Sequence, residues 1–407
     1  MNIHYDMIIV GGGMTGASLA IALSGRGLKL ALVEAAVPTV EAVPNYDDRA
    51  IALAWGSSRI FGALGVWQDI SARAEPIHQI HVSERGGFGF TRLHHATEGV
   101  AALGYVVTAR DLGSVLLETL AECKDVELIA PARVTSVRST EQKASICILR
   151  DGETLELDTS LLVAADGGQS FIREQLEIAT RRWDYAQHAI VANISPSKPH
   201  QGVAFERFTE QGPVALLPMS EQRCALVYTV ADQQLQAVQA LDDEQFLALV
   251  QQRFGWRLGR FRQVGRRAAY PLRHIRALKS ARQRVAIVGN AAHTLHPIAG
   301  QGFNLGIRDV AALAEVVQDA HQGGLDIGAE QVLRGYDRWR HKDQQTVALA
   351  TDGLVRLFTN PLMPVKLARN LGMLALDALP AVRHQLARSA MGVHGRLPKL
   401  ARGLNLD

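Results

Sequence analysis

The stretch that most constrains this chain is its start, "YDMIIVGGGMTGASLAIALSGRGLKLALVEAA". A short apolar run halts at glycine, which predicts a buried parallel strand. Ala and Leu then recur at helical spacing until Gly25 and Gly27 end the helix. A second apolar strand closes on Glu34. The whole is a βαβ unit of about 30 residues, the length a parallel crossover needs. Gly11, Gly13 and Gly16 fall at the turn in the order G-x-G-x-x-G, and Glu34 follows Gly16 by 18 positions. Each has a mechanical reason: a tight turn at Gly11, close backbone approach to a pyrophosphate at Gly13, and close helix–strand packing at Gly16. Met14 and Thr15 complete the loop. Free N–H groups and the positive dipole end of the helix suit phosphates. Glu34 can accept hydrogen bonds from an adenosine ribose and would repel a 2′-phosphate. The resident nucleotide is therefore expected to be FAD or NAD.

Two later stretches end strands in the same manner. "LLVAADGGQSFIR" runs into Asp166, Gly167 and Gly168, then Ser170 and Arg173. By itself it reads equally as an Asx-capped turn. "VGNAAHTLHPIAGQGFNLGIRD" (Val288 to Asp309) holds no acid before its last residue. A strand stops at Gly289 and Asn290, Pro297 stiffens the loop, and a helix begins near Gly300. A dinucleotide has two ends, so a second helix N-terminus can receive the redox ring. A reduced flavin carries negative charge near N1 and the C2 carbonyl, which backbone N–H groups stabilise. NAD enzymes do not need this second cradle, so its presence favours FAD.

Between these loops the pattern changes. "HQIHVSERGGFGFTRL" predicts a hairpin turning near Gly86 and Gly87. "AIVANI", "GVAFERFT", "PVALLPM" and "CALVYTV" predict a run of antiparallel strands. "DQQLQAVQALDDEQFLALVQQRF" predicts one amphipathic helix. The expected fold is α/β: a Rossmann-like FAD-binding domain with an inserted antiparallel β-sheet substrate domain and a C-terminal helical region. The expected bounds are 1–75, 100–180 and 275–350 for the FAD domain, 76–99 and 181–274 for the β-rich domain, and 351–407 for the helical region.

With these three motifs in order, the chain resembles the FAD-dependent aromatic hydroxylases, the flavoprotein monooxygenases built like para-hydroxybenzoate hydroxylase. The likeness runs from about Ile8 to Leu349. "DDRAIALAWGSSRIFGALGVW" and "HPIAGQGFNLGIRDV" are similar to the ubiquinone-biosynthesis branch. "FERFTEQGPVALLPM" and "FGWRLG" look closest to its 2-polyprenyl-6-methoxyphenol hydroxylases. The resemblance implies a monooxygenase that hydroxylates a polyprenylated phenol. NAD(P)H would serve as a transient reductant and O2 as co-substrate, by way of a flavin C4a-hydroperoxide. It places Arg49 and Arg110 near the ribityl–pyrophosphate region, Val134 at the adenine, and Asp166 near the pyrophosphate and the nicotinamide path. Pro297, Gly300, Gln301, Gly302, Phe303 and Asn304 would surround the isoalloxazine. The family's usual Asp in the third motif is Asn290 here, an amide without charge. No catalytic base stands out; His293 and His296 are the candidates in the flavin loop. Glu206, Arg207 and Phe208 are candidates for the substrate wall. A flavin dehydrogenase or oxidase, and a non-catalytic FAD-bound scaffold in a quinone-synthesis complex, remain alternatives at this level.

Charge and composition bound the partners. The net charge of +3 gives no argument for nucleic acid. Yet from Gln245 to Arg308 there are twelve Arg or Lys and no Asp or Glu, a surface suited to an anionic partner or simply a solvated basic face. From Gly353 to Leu406 eight Arg or Lys meet one acid, Asp377, interleaved with apolar runs. That suits either a helical cap or a peripheral contact with a membrane or lipid-binding partner. Three scattered cysteines, Cys123, Cys147 and Cys224, argue against a metal site or a disulfide framework and fit a cytoplasmic setting. No apolar run reaches the roughly 20 residues of a membrane span.

Overall fold

The computed structural model describes residues 3–37, 49–295, 300–360 and 362–407. Strand β1 (Ile3–Val10), helix α1 (Met14–Leu23) and strand β2 (Leu30–Val33) form the expected βαβ unit. The chain crosses to a second sheet for the hairpin β3 (Gln79–Glu84) and β4 (Phe90–His94), then returns for the long β5 (Glu153–Ala164). It leaves again for β6 (Thr180–Pro196), β7 (Val203–Thr209), β8 (Gly212–Pro218) and β9 (Cys224–Ala231). Helix α2 (Asp243–Phe254) and strand β10 (Ala268–Ala277) complete that excursion. The return consists of β11 (Val285–Ile287), the short β12 (His293–Thr294), and helices α3 (Gln301–Gln322) and α4 (Glu330–Thr359). Helices α5 (Met363–Ala378) and α6 (Pro380–Ala390) follow.

The single helix expected over Asp232–Phe254 is two. Asp242 accepts the Gln245 N–H while the Gln245 side chain answers its backbone, so a capping box restarts the helix at Asp243.

In the first sheet β11, β5, β1 and β2 are neighbours and all run parallel. The register pairs Ile287 with Ala164, Ala164 with Val10, and Val10 with Val33. Four strands therefore end at one level. The second sheet has nine strands and is mainly antiparallel, although β7 and β3 pair in parallel. One face is closed by α2, whose Phe246, Val250 and Phe254 pack on Ile190, Leu216, Leu226 and Tyr228. On the other face Ala204 and Ala225 pack with Ile77 and Val106 of a separate three-stranded sheet.

Candidate functional site

The common strand level explains why motifs far apart in sequence meet. β1 runs into Gly11, β5 into Asp166, β11 into Gly289, and β2 into Glu34. Ligands of open parallel sheets sit at such carboxyl ends. Backbone bonds seal the level: Ala165 N–H donates to Val10 O at 2.8 Å, Val288 N–H to Ala164 O at 3.0 Å, and Gly11 N–H to Val33 O at 2.8 Å.

The first loop is a cradle. A Cβ on Gly16 would lie 1.9 Å from Gly11 O, and one on Gly11 would lie 2.5 Å from Ala165 O, so both glycines serve packing. A Cβ on Gly13 would meet nothing within 4 Å: that position faces open space. Helix α1 has no side-chain cap and no acid in its first turn, so its leading N–H groups are left for an anion. Glu34 closes the far side, with Oε2 accepting from Gly12 N–H at 2.6 Å and Oε1 from Ala36 N–H at 3.0 Å. Ala132 N–H donates to Glu34 O at 2.7 Å, which brings the strand bearing the half-buried Val134 to the same edge. Arg49 O accepts from Ala109 N–H at 2.7 Å, setting Arg49 and Arg110 side by side.

The third loop is a second cradle, and it touches the first. A Cβ on Gly289 would lie 3.0 Å from Thr15 Oγ1, and one on Gly306 would lie 3.0 Å from Gly289 Cα. Gly300 has φ +60° and caps α3, which again lacks a side-chain cap and a first-turn acid. The bare N-terminus of α1 thus meets Gly289, on which α3 packs at Gly306 in its second turn. The second motif joins them. Arg173 is buried and donates to Gly168 O and to Ala291 O, each at 2.8 Å. Asp166 Oδ2 accepts the Ile172 N–H at 3.1 Å. Its buried Oδ1 has no partner among the described residues. An open cradle at Gly13, two uncapped helix ends and an unanswered carboxylate oxygen fit a dinucleotide carrying hydroxyl groups.

Several expected contacts are revised. Asn304 is buried and fully engaged: its Oδ1 accepts from Ala54 N–H and Ser57 Oγ, and its Nδ2 donates to Ala52 O and Gly300 O, at 2.7–2.8 Å. Its amide fixes the loop and has nothing left for a flavin. The Phe303 ring is likewise turned into the protein, 6.5 Å from that of Phe61. Gln301 Nε2 donates to Ala390 O at 3.4 Å. A Cβ on Gly302 would meet nothing within 4 Å. Asn290 is exposed. His296 and Pro297 lie outside the described residues.

His293 is sealed from solvent and its Nε2 donates to Asp309 Oδ2 at 2.6 Å. Asp309 is the residue that sequence reading passed over. It also accepts from Gly289 N–H at 3.1 Å, Arg340 Nε at 2.7 Å and Gln344 Nε2 at 3.1 Å. Arg340 and Arg308 both reach Asp343, at 2.6 and 3.0 Å. Burial alone would raise the Asp309 carboxyl, but His293 and Arg340 outweigh it and hold it well below the usual range. The signal available was its place as the lone acid of the glycine-rich stretch.

The proposed substrate wall divides. Side chains alternate along β7. Phe208 stacks on Phe358 of α4 at 3.7 Å, and the buried Glu206 shares its face, the inner one. Arg207 points to the opposite face, beside Gly255 and the Arg257 and Arg85 side chains. It is no part of a wall with the other two.

The chain belongs to the FAD binding domain family, whose sequence pattern matches residues 4–350. Among its relatives is the ubiquinone hydroxylase UbiL of Rhodospirillum rubrum, 38% identical over 405 residues, covering 98% of this chain and 93% of that one. The 3-demethoxyubiquinol 3-hydroxylase of Escherichia coli is 29% identical over 390 residues, covering 95% and 98%. The fold is also similar to that of p-nitrophenol 4-monooxygenase PnpA from Pseudomonas putida. There the TM-score is 0.79 at 17% identity, over 97% of this chain and 100% of that one. The expected FAD-binding α/β fold with a second sheet and a C-terminal helical region is the one observed.

Proposed function

We propose that the chain hydroxylates the ring of a prenylated phenol against the inner face of the nine-stranded sheet, with FAD held across the three loops. It is an FAD-dependent aromatic hydroxylase of ubiquinone biosynthesis. The observation that carries the reading is that the bare N-terminus of α1, at Thr15, meets Gly289, on which the second turn of α3 packs at Gly306, level with Asp166 and Glu34. When bound, FAD supplies the redox chemistry, taking hydride from NAD(P)H and activating O2.

The protein's share is placement. The α1 N–H groups at Gly13 to Thr15, with Arg49 and Arg110, would hold the pyrophosphate. Glu34 would hold the ribose, and the Val134 backbone the adenine. The N-terminus of α3 would favour negative charge at the far ring. Asp309 and His293 hold Gly289 in place, which makes His293 a positioning residue. Glu206 and Phe208 would line the ring site, and the Phe208–Phe358 stack would help keep water from it. A 2-polyprenyl-6-methoxyphenol is the substrate we favour. Among the described residues no helix is long and apolar enough to cross a membrane, so contact with a bilayer would be peripheral.

The test is turnover of a prenylated phenol by FAD-loaded protein with NAD(P)H and 18O2. One labelled oxygen in a new ring hydroxyl is expected. Reductant oxidation that yields only hydrogen peroxide would make the chain an oxidase, and absence of reductant oxidation would leave the scaffold reading.

A further inference from the structure

Where the inner face of the nine-stranded sheet meets the third loop, a histidine is buried with nothing to bond. His274 of β10 is 1% exposed, and neither of its ring nitrogens has a partner among the described residues. The ring is held all the same. It stacks on Trp183 of β6, its pair across the ladder, with centroids 3.6 Å apart and planes 6° from parallel. Alternation puts His274 on the face away from Arg273, which meets Asp184 on the solvent side at 3.2 Å. That face is the inner one, since Tyr185, two residues on from Trp183, packs among Phe208, Val355 and Phe358. Burial, against the charge of Asp352 and with those of Arg276 and His293, pushes His274 down to about 4, so the ring is neutral at pH 7. A neutral imidazole carries one N–H donor and one bare acceptor, and both are unanswered here. Buried polar groups are nearly always bonded, so such a pair points to a ligand.

The neighbours show what that ligand must offer. β10 pairs with β12 through Ile275 with Thr294 and Arg276 with His293. The same register carried one step on sets His274 level with Leu295, where the third loop leaves the strand. From α4, Asp352 is already engaged: it accepts from the Tyr185 hydroxyl at 3.3 Å and from Arg356 Nε at 2.7 Å. Arg276, on the same face of β10 as His274, is buried too, and its Nη1 has no acceptor among the described residues. The corner therefore holds spare donors and one spare acceptor. A hydroxyl group, which can give one hydrogen bond and take another, answers both kinds. An ether or carboxylate oxygen can only accept and would leave the bare ring nitrogen unpaired.

We propose that His274 receives the phenolic hydroxyl of the substrate, the hydroxyl donating to the bare ring nitrogen. The proposal rests on the functional reading and adds an orientation to it. The hydroxyl lies at the His274 corner beside the third loop, and the apolar side of the ring lies toward Phe208 and Phe358, with Tyr185 between the two ends. The rival occupant of the corner is an ordered water, which would answer the same nitrogens and confer no preference among ligands.

The experiment takes the FAD-loaded full chain at pH 8, a short-chain water-soluble phenol and the methyl ether of the same phenol, and reads binding from the change in flavin absorbance. The ether keeps the ring and the oxygen but cannot donate. Wild type should bind the phenol roughly ten- to a hundredfold more tightly than the ether. H274F keeps a ring against Trp183 and should bind the two ligands alike, with a raised KM for the phenol. H274Q, which offers a donor and an acceptor without the imidazole, should recover part of the preference. Both variants should retain their flavin. A purely structural role would weaken phenol and ether equally in H274F, and that result would overturn the proposal, as would an H274F that keeps the wild-type preference. A wild type that does not distinguish phenol from ether would leave His274 to a water and overturn it whether or not H274F folds. A wild type that prefers the phenol but puts no oxygen into it would strike the functional reading alone.

Discussion

The cradle at Gly13 can be separated from the fold that builds it. Gly13 has φ −64° and ψ 175°, a conformation any L-residue adopts, and a Cβ there would touch nothing within 4 Å. Gly13→Ala should therefore leave the apoprotein intact. Less freedom in the unfolded chain should even stabilise it by ~0.4–1 kcal/mol. Gly16→Ala is the contrast. Its Cβ would sit 1.9 Å from Gly11 O, a backbone atom that cannot swing aside, so the helix must retreat from the loop. That costs about 1–3 kcal/mol or more. The open space at Gly13 is where a pyrophosphate would meet the backbone. A methyl group there should remove at least one charge-assisted hydrogen bond, worth ~1.5–3 kcal/mol, and so weaken FAD binding by roughly ten- to a hundredfold. Thermal denaturation of each apoprotein, with a flavin-fluorescence titration alongside, reads the two effects separately. Ligand stabilisation follows the ratio of FAD concentration to Kd, so the Gly13→Ala apoprotein should melt no lower than wild type and gain less from added FAD. If it melts as low as Gly16→Ala, or binds FAD as tightly as wild type, the cradle is misplaced.

Asp309→Asn should cost up to about 3–5 kcal/mol, because it removes one of the two carboxylates that hold the buried Arg340, the one that also accepts from His293. The same change at Asp343, which is 16% exposed, should cost less; chemical denaturation compares them. His81 and His274 are both pushed down to about 4 by burial. The unfolded chain binds these protons near pH 6.5 and the native chain only near 4, so stability should fall as pH drops through that window, by up to roughly 3 kcal/mol per histidine. His274→Phe keeps a ring against Trp183, 3.6 Å away, and should flatten the slope of Tm against pH; an unchanged slope refutes the assignment. Asp309 acts in the opposite range: its carboxylate is depressed, so its contribution should persist until the pH falls below the ordinary carboxylate values. Asn290→Asp adds an exposed acid to the third loop, worth ~0.3–1 kcal/mol against negative charge close by. It should lower the flavin reduction potential by no more than about 20 mV, read by dye equilibration, and a rise would contradict the placement of the ring at that loop.

Much of the scaffold was legible because it is local. A strand, a glycine turn, a helix and an acid within 34 residues specify one another, and so do the hairpin and the strands from β6 to β9. Two errors were avoidable by the same local rules. Period-2 alternation already forbids Arg207 from sharing a face with Glu206 and Phe208. "LDDEQ" already spells a helix start at Asp242. What the sequence could not disclose was strand order. Nothing in "RVAIV" says that it lies beside β5, or that β5 lies beside β1, yet those adjacencies put Asp166 between Gly11 and Gly289.

The charges of the third loop show the same limit more sharply. Its sequence suggests that replacing the usual Asp by Asn290 removes the loop's negative charge. The fold shows another acid serving the loop from within: Asp309 accepts the Gly289 N–H from a position more than two turns inside α3, where Arg340 balances it and His293 donates to it. The partners lie 31 residues apart on antiparallel helices, so no window of sequence contains both. Because that charge is balanced and buried, it can fix the loop without opposing the field at the helix N-terminus. The first turn of α3 has no acid of its own. The loop is held by one carboxylate while the first turn of α3 keeps its N–H groups free of a side-chain cap, and a site that must favour a negatively charged ring requires both conditions together.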